Sequence, residues 1–262
     1  YSVTTGIQNT LIGALAADAL TDADFNVALG YKALTLDTLG SRSTALGYNA
    51  LGTQNFTTAT NSNNTAVGFN AGIACVTGTS NVFVGESSGL GTTSSFNSFC
   101  GANAGEVITS GAKNTIIGRY NGNQSGIDIR TSDNNIVLSD GDGNVKAHFK
   151  ANGNANIYNS VNNAYSFQVL NSTTGTQPYG IRIYYTDIAR DDANGAFIEC
   201  TDSGALRFKV FNDGDVQNHD NSYAGLSDVK LKEQIADASS QWDDIKALTV
   251  RKYKMKTDVA TG

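Results

Sequence analysis

One short phrase keeps returning in phase through the first half of the chain. It reads Asn9-Thr-Leu-Ile-Gly13, Asn26-Val-Ala-Leu-Gly30, Ser43-Thr-Ala-Leu-Gly47, Asn64-Thr-Ala-Val-Gly68, Asn81-Val-Phe-Val-Gly85, Asn97-Ser-Phe-Cys-Gly101 and Asn114-Thr-Ile-Ile-Gly118. Successive glycines lie 17, 17, 21, 17, 16 and 17 residues apart. Several copies run on into a second phrase, as in Gly47-Tyr-Asn-Ala-Leu-Gly52 and Gly68-Phe-Asn-Ala-Gly72, and Asn135-Ile-Val-Leu-Ser139 reads as a degraded eighth copy. Repetition on this period is the mark of a stacked architecture in which each unit touches mainly its neighbours.

A unit of 17 residues is too short for a helix pair, which needs 33 or more. Its apolar pair sits in a β-prone setting, and its Asn and Gly positions suit corners that need positive φ. The expected unit is one turn of a β-solenoid or β-roll, with two short strands, two corners and a rise of about 4.8 Å per rung. One rung cannot bury its own apolar pair, so stacking, completed by trimerisation, must supply the core. The column of Asn side chains is placed to form hydrogen-bonded ladders along the stack. A flexible linker of this composition has no reason to keep an apolar pair in phase.

Composition narrows the function classes. Of 262 residues, 28 are Gly and only 1 is Pro, charged residues make up 16%, and the net charge is −6. That balance argues against nucleic-acid binding, which rests on clustered Lys and Arg, and no apolar run is long enough to insert in a membrane as a helix. Cys75, Cys100 and Cys200 form no CxxC pair, and with only His148 and His219 no zinc set can be assembled. The three cysteines are expected as small buried apolar residues, and no metal or cofactor is expected. Because the chain starts at Tyr1, it reads as part of something longer.

From Ser139 the texture changes. Ser139-Asp-Gly-Asp-Gly-Asn-Val145 and Lys150-Ala-Asn-Gly-Asn-Ala-Asn156 read as turns between strands. Asp140, Asp142 and Asn144 have the opening spacing of a calcium loop, but Val145 and Ala151 occupy the positions where such a loop needs Gly and Glu. Residues 165–217 alternate polar and apolar in Tyr165–Leu170, Tyr179–Tyr185, Ala196–Cys200 and Ala205–Phe211, the pattern of an antiparallel meander. Tyr179, Tyr184, Tyr185, Arg182 and Arg190 form a candidate sugar- or protein-binding surface, with packing between strands or protomers as the alternative role.

After Leu226 the composition breaks: 13 of the last 36 residues are charged, against 29 of the first 226. Lys230–Ile235 and Trp242–Leu248 favour helix, with Trp242, Ile245 and Leu248 on one narrow stripe. Asp228 and Ser239 or Ser240 can cap these two helices.

The repeats resemble the Asn-Thr-Ala-hydrophobic-Gly-Tyr-Asn-Ala units of phage tail fibres and, more distantly, the left-handed β-roll heads of trimeric autotransporter adhesins. Ser227-Asp-Val-Lys-Leu-Lys232, coming after Asn212-Asp-Gly-Asp-Val216, looks like the start of the intramolecular chaperone auto-processing domain that ends many tail fibres and tailspikes. The resemblance implies a homotrimer aligned by that domain, which then cuts itself off beside Ser227, with Ser227 the nucleophile and Lys232 its general base. A lysine serves as base only if burial or nearby positive charge, such as Lys230, lowers its pKa. Residues five apart on a helix point about 140° apart, so Ser227 must precede the helix or meet Lys232 from another protomer. That family domain runs on well beyond Gly262.

The expected architecture is therefore mainly β. It consists of a homotrimeric repetitive β-roll or β-solenoid fibre over 1–126, a β-turn connector over 127–160, an antiparallel β domain over 161–226 and a short α-helical chaperone segment over 227–262. The expected function is a structural and receptor-binding tail fibre of the virion. Its partners would be two further copies, a host cell-surface glycan or protein receptor, and other tail proteins on the N-terminal side. The alternatives are a glycan-degrading tailspike, disfavoured because Asp18, Asp22, Asp24, Asp37, Glu86 and Glu106 do not recur at one phase, and a bacterial trimeric surface adhesin, which would need a stalk and a membrane barrel.

Overall fold

The computed structural model describes residues 3–159, 165–169, 181–183 and 195–219. The chain divides into two units, Tyr1–Ser172 and Thr173–Gly262. Every regular element among the described residues is a β-strand.

The first unit contains β1 (Thr10–Ile12), β2 (Val27–Leu29), β3 (Gly40–Ser41), β4 (Thr44–Leu46), β5 (Thr60–Asn61), β6 (Thr65–Val67), β7 (Val82–Val84), β8 (Ser98–Cys100) and β9 (Thr115–Ile117). It continues with β10 (Asn123–Gln124), β11 (Ile127–Asp128), β12 (Ile136–Ser139), β13 (Val145–Phe149) and β14 (Ala155–Ile157). Ten of these make one sheet in the order β1-β2-β4-β6-β7-β8-β9-β12-β13-β14. The pairing is parallel from β1 to β12, and each phrase sits in register on the next, for example Ala66↔Phe83 and Phe83↔Phe99. Asn135–Ser139 is thus the eighth rung. The stack closes with two antiparallel strands, β13 and β14. The fold of this unit is β-solenoid-like, with strands about 4.8 Å apart.

The repeated glycine has a steric cause. Gly85 has φ near 130°, and a Cβ there would lie 2.5 Å from the carbonyl oxygen of Gly101 in the rung above. Backbones touch along this column, leaving no room for a side chain.

The other side of each rung departs from the expected second strand. Only β3 and β5 pair from rung to rung there, in parallel, while the rung after Gly118 carries the short β10–β11 hairpin and the remaining rungs are turns. The reason is an alternation of handedness: Asn49 (φ 58°) and Leu51 (φ 49°) are left-handed, as are Lys32 and Leu34 one rung earlier. A strand needs uniformly extended residues. The alternation turns successive amides in opposite directions. The N–H of Asn49 donates to Tyr31 O at 2.9 Å, and that of Leu51 to Ala71 O in the other neighbour at 3.0 Å.

The core is a single file of inward strand residues, Ala28, Ala45, Ala66, Phe83, Phe99, Ile116 and Val137, all fully buried. It is balanced across the rung. Ala28 and Ala45 share their rungs with Leu34 and Leu51, whereas Phe83 and Phe99 share theirs with Gly89 and Gly105, and Gly72, in the Ala66 rung between, leaves room for the Phe83 ring next to it. A Cβ on Gly105 would sit 2.5 Å from the Phe99 ring. Large and small exchange places so that the cross-section keeps its volume.

In the second unit, β15 (Ala196–Thr201), β16 (Leu206–Phe211) and β17 (Val216–Asn218) form the expected antiparallel meander. Asn212–Asp215 is the turn between its last two strands, with Gly214 at φ 92°. Lys209 reaches Glu199 at 3.2 Å across β15 and β16. Residues 165–169 and 181–183, expected in strands, lie outside regular structure. The cysteine expectation holds for one of three: Cys75 is buried, whereas Cys100 and Cys200 are exposed. Cys100 follows inward-facing Phe99, so strand alternation turns it outward.

Candidate functional site

The inward residue of each strand is flanked by two that face outward, and stacking turns these into two columns. One runs Thr10, Val27, Thr44, Thr65, Val82, Ser98, Thr115, Ile136; the other runs Ile12, Leu29, Leu46, Val67, Val84, Cys100, Ile117, Leu138. Neither contains a charged residue, and the second contains no hydrogen-bonding side chain apart from a thiol. Ile12 is 57% exposed, Leu29 44% and Ile117 54%. The result is a flat, uncharged face running the length of the stack, roughly 34 Å from β1 to β12 at one rung per 4.8 Å.

Beside it, immediately after the glycine column, Tyr31, Tyr48 and Phe69 stack on successive rungs with ring centroids 5.4 and 5.0 Å apart. The Lys32 ammonium lies 5.4 Å from the Tyr31 ring centre. Aromatic residues one rung apart are drawn into this contact by the rise of the sheet itself.

The face is held flat from inside by the asparagines. The Oδ1 of each ladder Asn accepts the backbone N–H of the residue one rung on: Asn26 to Asn9 at 2.9 Å, Asn81 to Asn64 at 2.9 Å, Asn97 to Asn81 at 2.9 Å, Asn114 to Asn97 at 3.0 Å. The Nδ2 of the same residues donates to a corner carbonyl of the next rung, as Asn97 does to Gly111 O at 3.1 Å. From one Asn to the next the ladder runs side chain to backbone, with a direct amide contact added from Asn81 to Asn64 at 3.2 Å and from Asn135 to Asn114 at 3.0 Å, and it satisfies buried polar groups that would otherwise each cost about 1–3 kcal/mol.

Ser43 breaks the column, and a buried cluster repairs it. Gln54 donates from Nε2 to Ser43 Oγ at 2.9 Å and to Asp37 Oδ2 at 2.6 Å, and its Oε1 accepts from Asn64 Nδ2 at 2.8 Å. The other oxygen of Asp37 accepts the N–H groups of Gly40 and Phe56, both at 3.1 Å. Gln54 holds the corner position that Asp37 holds one rung earlier, so a regular position of the repeat supplies the missing amide, and the extra residues of the 21-residue unit come after it, between Phe56 and Thr60.

Asp37 and three more of the six carboxylates weighed for glycan hydrolysis serve the scaffold. Asp18 accepts from Thr35 and Asp22 from Thr5, each at 2.6 Å, and Asp24 accepts the N–H of Ile7 at 2.8 Å. Asp140 is taken up by its own turn. It accepts from the N–H groups of Asp142 and Asn144, and Lys146 lies 3.1 Å away, holding its pKa at about 2. Ser139–Val145 is thus the β12–β13 turn. Burial pushes the Cys75 thiol up to about 11, with Asn81 Nδ2 3.5 Å from its sulfur.

Ser227 and Lys232 lie outside the described residues, as do the helices expected over 227–262 and the aromatic candidates Tyr179, Tyr184 and Tyr185 with Arg190. Arg182 is described and exposed. Sequence reasoning did not see the Gln54 repair, the Phe-for-Ala exchange opposite glycine, or the role of His148 at the end of the ladder. The second of these was partly readable: four residues after the repeat glycine, leucine gives way to glycine from Gly72 onward, one rung before phenylalanine replaces alanine at the inward position. Compared with known proteins, the chain matches no family model, no curated protein and no solved structure.

Proposed function

We propose that this chain is a structural, receptor-binding segment of a homotrimeric fibre of the phage tail-fibre class. The observation that carries the reading is the uncharged outer face of the eight parallel strands, β1 to β12. Outward Ile, Leu and Val residues line it on seven of the eight rungs, with Cys100 on the other, and such apolar surface marks an interaction site. Copies side by side about an axis parallel to the stack would bury it, with each rung meeting its equivalents. A parallel repeat is prone to slip by whole rungs at small cost, so a separate element must set the stagger. The charged segment 227–262 is the candidate, through the resemblance carried by Ser227–Lys232. In this reading the virion is the protein's location, a host surface glycan or protein its target, and other tail proteins its N-terminal neighbours.

Sedimentation equilibrium on the purified chain tests the core of the proposal. A mass three times that of the 27.5 kDa chain is expected, and a stable monomer with the strand face in solvent would refute it. Self-cleavage is tested on a longer polypeptide that carries the remainder of such a chaperone domain. Ser227→Ala should abolish cutting beside residue 227 and leave assembly intact, whereas unchanged fragment masses would eliminate the dyad.

A further inference from the structure

The asparagine ladder ends in a way that none of its earlier steps foreshadows. Asn135 is its last member, and its Nδ2 already donates to Asn114 Oδ1 at 3.0 Å and to Asp133 O at 2.9 Å. Its Oδ1 therefore needs a donor, and no further rung supplies a backbone N–H. His148 of β13 takes that place, with Nε2 3.0 Å from Asn135 Oδ1. This fixes the tautomer: Nε2 carries the proton and Nδ1 is a bare lone pair. His148 is only 4% exposed, and Nδ1 is buried with no partner among the described residues. The register Val137↔His148 sets the ring over the end of the core column.

We propose that His148 is an acid-operated latch: its neutral imidazole fastens the β13–β14 hairpin to the last rung, and its protonation releases that hairpin and bares the β12 edge of the sheet. A proton on Nδ1 would create a buried cation whose new N–H has no acceptor. The surroundings do not rescue it. β12 presents Ile136, Val137, Leu138 and, at its far end, Ser139, none of them charged. On β13 itself, Lys146 is engaged by Asp140, and Lys150 follows at the strand's end. The loop beneath brings Asp128 and Asp133, but Arg130 holds Asp128 at 2.8 Å and Asp133 takes the N–H of Ala112. Lys150, Asp128, Asp133 and Tyr158 share the walls of one cleft of about 480 Å³ with His148, so water enters there as soon as the hairpin lifts. Burial first, and Lys150 second, keep the ring's pKa below its ordinary value. The sign follows. Closure is at full strength above the ordinary histidine value of about 6.5, and weakens as pH falls below it, because the open form binds the proton more readily.

Hydrogen exchange on the full chain at pH 7.5 and 5.0, corrected for intrinsic rates, tests the latch. Amides in Ile136–Ile157 should lose at least tenfold protection at the lower pH, while those of β4, β6 and β7 keep theirs. His148→Gln retains a donor for Asn135 but does not titrate, so its hairpin should stay equally protected at both values. Lys150→Met should move the wild-type midpoint upward. Equal wild-type protection at both pH values overturns the proposal, as does acid release in His148→Gln matching the wild type. If His148→Gln leaves the hairpin open at pH 7.5, the C–H titration of His148 decides. A midpoint below 6.5 that tracks the loss of protection upholds the latch, and one at or above 6.5 overturns it.

Discussion

Phe99 and Gly105 show how tightly single positions are matched within a rung. The Phe99 ring fills space that Leu34 and Leu51 fill from the opposite side in earlier rungs, and no Cβ fits on Gly105 while the ring is present. Leu34 and Leu51 have φ of 56° and 49°, so a leucine is already tolerated in the left-handed conformation that Gly105 adopts at 64°. Phe99→Ala alone should therefore cost about 3–5 kcal/mol through the cavity it leaves. Gly105→Leu alone should destabilise by overpacking. The double variant should recover most of the loss, because it reproduces the Ala-plus-Leu rung seen at Ala45 and Leu51. Urea denaturation of the four proteins measures the coupling; additive losses would show that the two positions do not share one space.

At the scale of the element, the unit is the rung and its currency is phase. Removing residues 69–85 takes out one rung while leaving Gly68 followed by the Glu86 corner, so the strand, glycine and asparagine columns all stay in line. Circular dichroism should keep its strand signal and unfolding should remain cooperative, whereas removing half that length should abolish the folded signal. A whole-rung deletion that also unfolds the chain would refute independent stacking. Much of this was legible in the sequence because the repeat phrase forces it: Asn, an inward apolar residue and Gly at fixed intervals give the strand, the core file and the backbone contact. The opposite corner was misread as a strand because alternating left-handed residues such as Lys32, Leu34 and Leu51 carry no turn signal of their own; their conformation is imposed by the rungs above and below. Cys100 was expected inside because its chemistry was considered before its place in the two-residue alternation after Phe99. The latch at His148 was invisible, since it depends on β13 folding back onto a ladder whose end no local pattern marks.

For the whole molecule, the flat strand face is the surface on which assembly would depend. Ile117 stands on the seventh of the eight parallel rungs, 54% accessible, and contributes nothing to the core file. Ile117→Glu should leave the single-chain fold intact and convert a trimer into monomers, read by sedimentation and by an unchanged far-ultraviolet spectrum. A trimer that survives this substitution would place the contact elsewhere. Parallel stacking has a mechanical corollary as well. Load applied along the axis falls on the end rung alone, whose few hydrogen bonds open one after another like a zip instead of resisting together. Each rung that lets go frees 17 residues, roughly 50–55 Å of slack once its own rise is subtracted. A single molecule stretched from its two termini would thus lengthen in a staircase of near-equal treads, giving way gradually where a sheared sheet would snap.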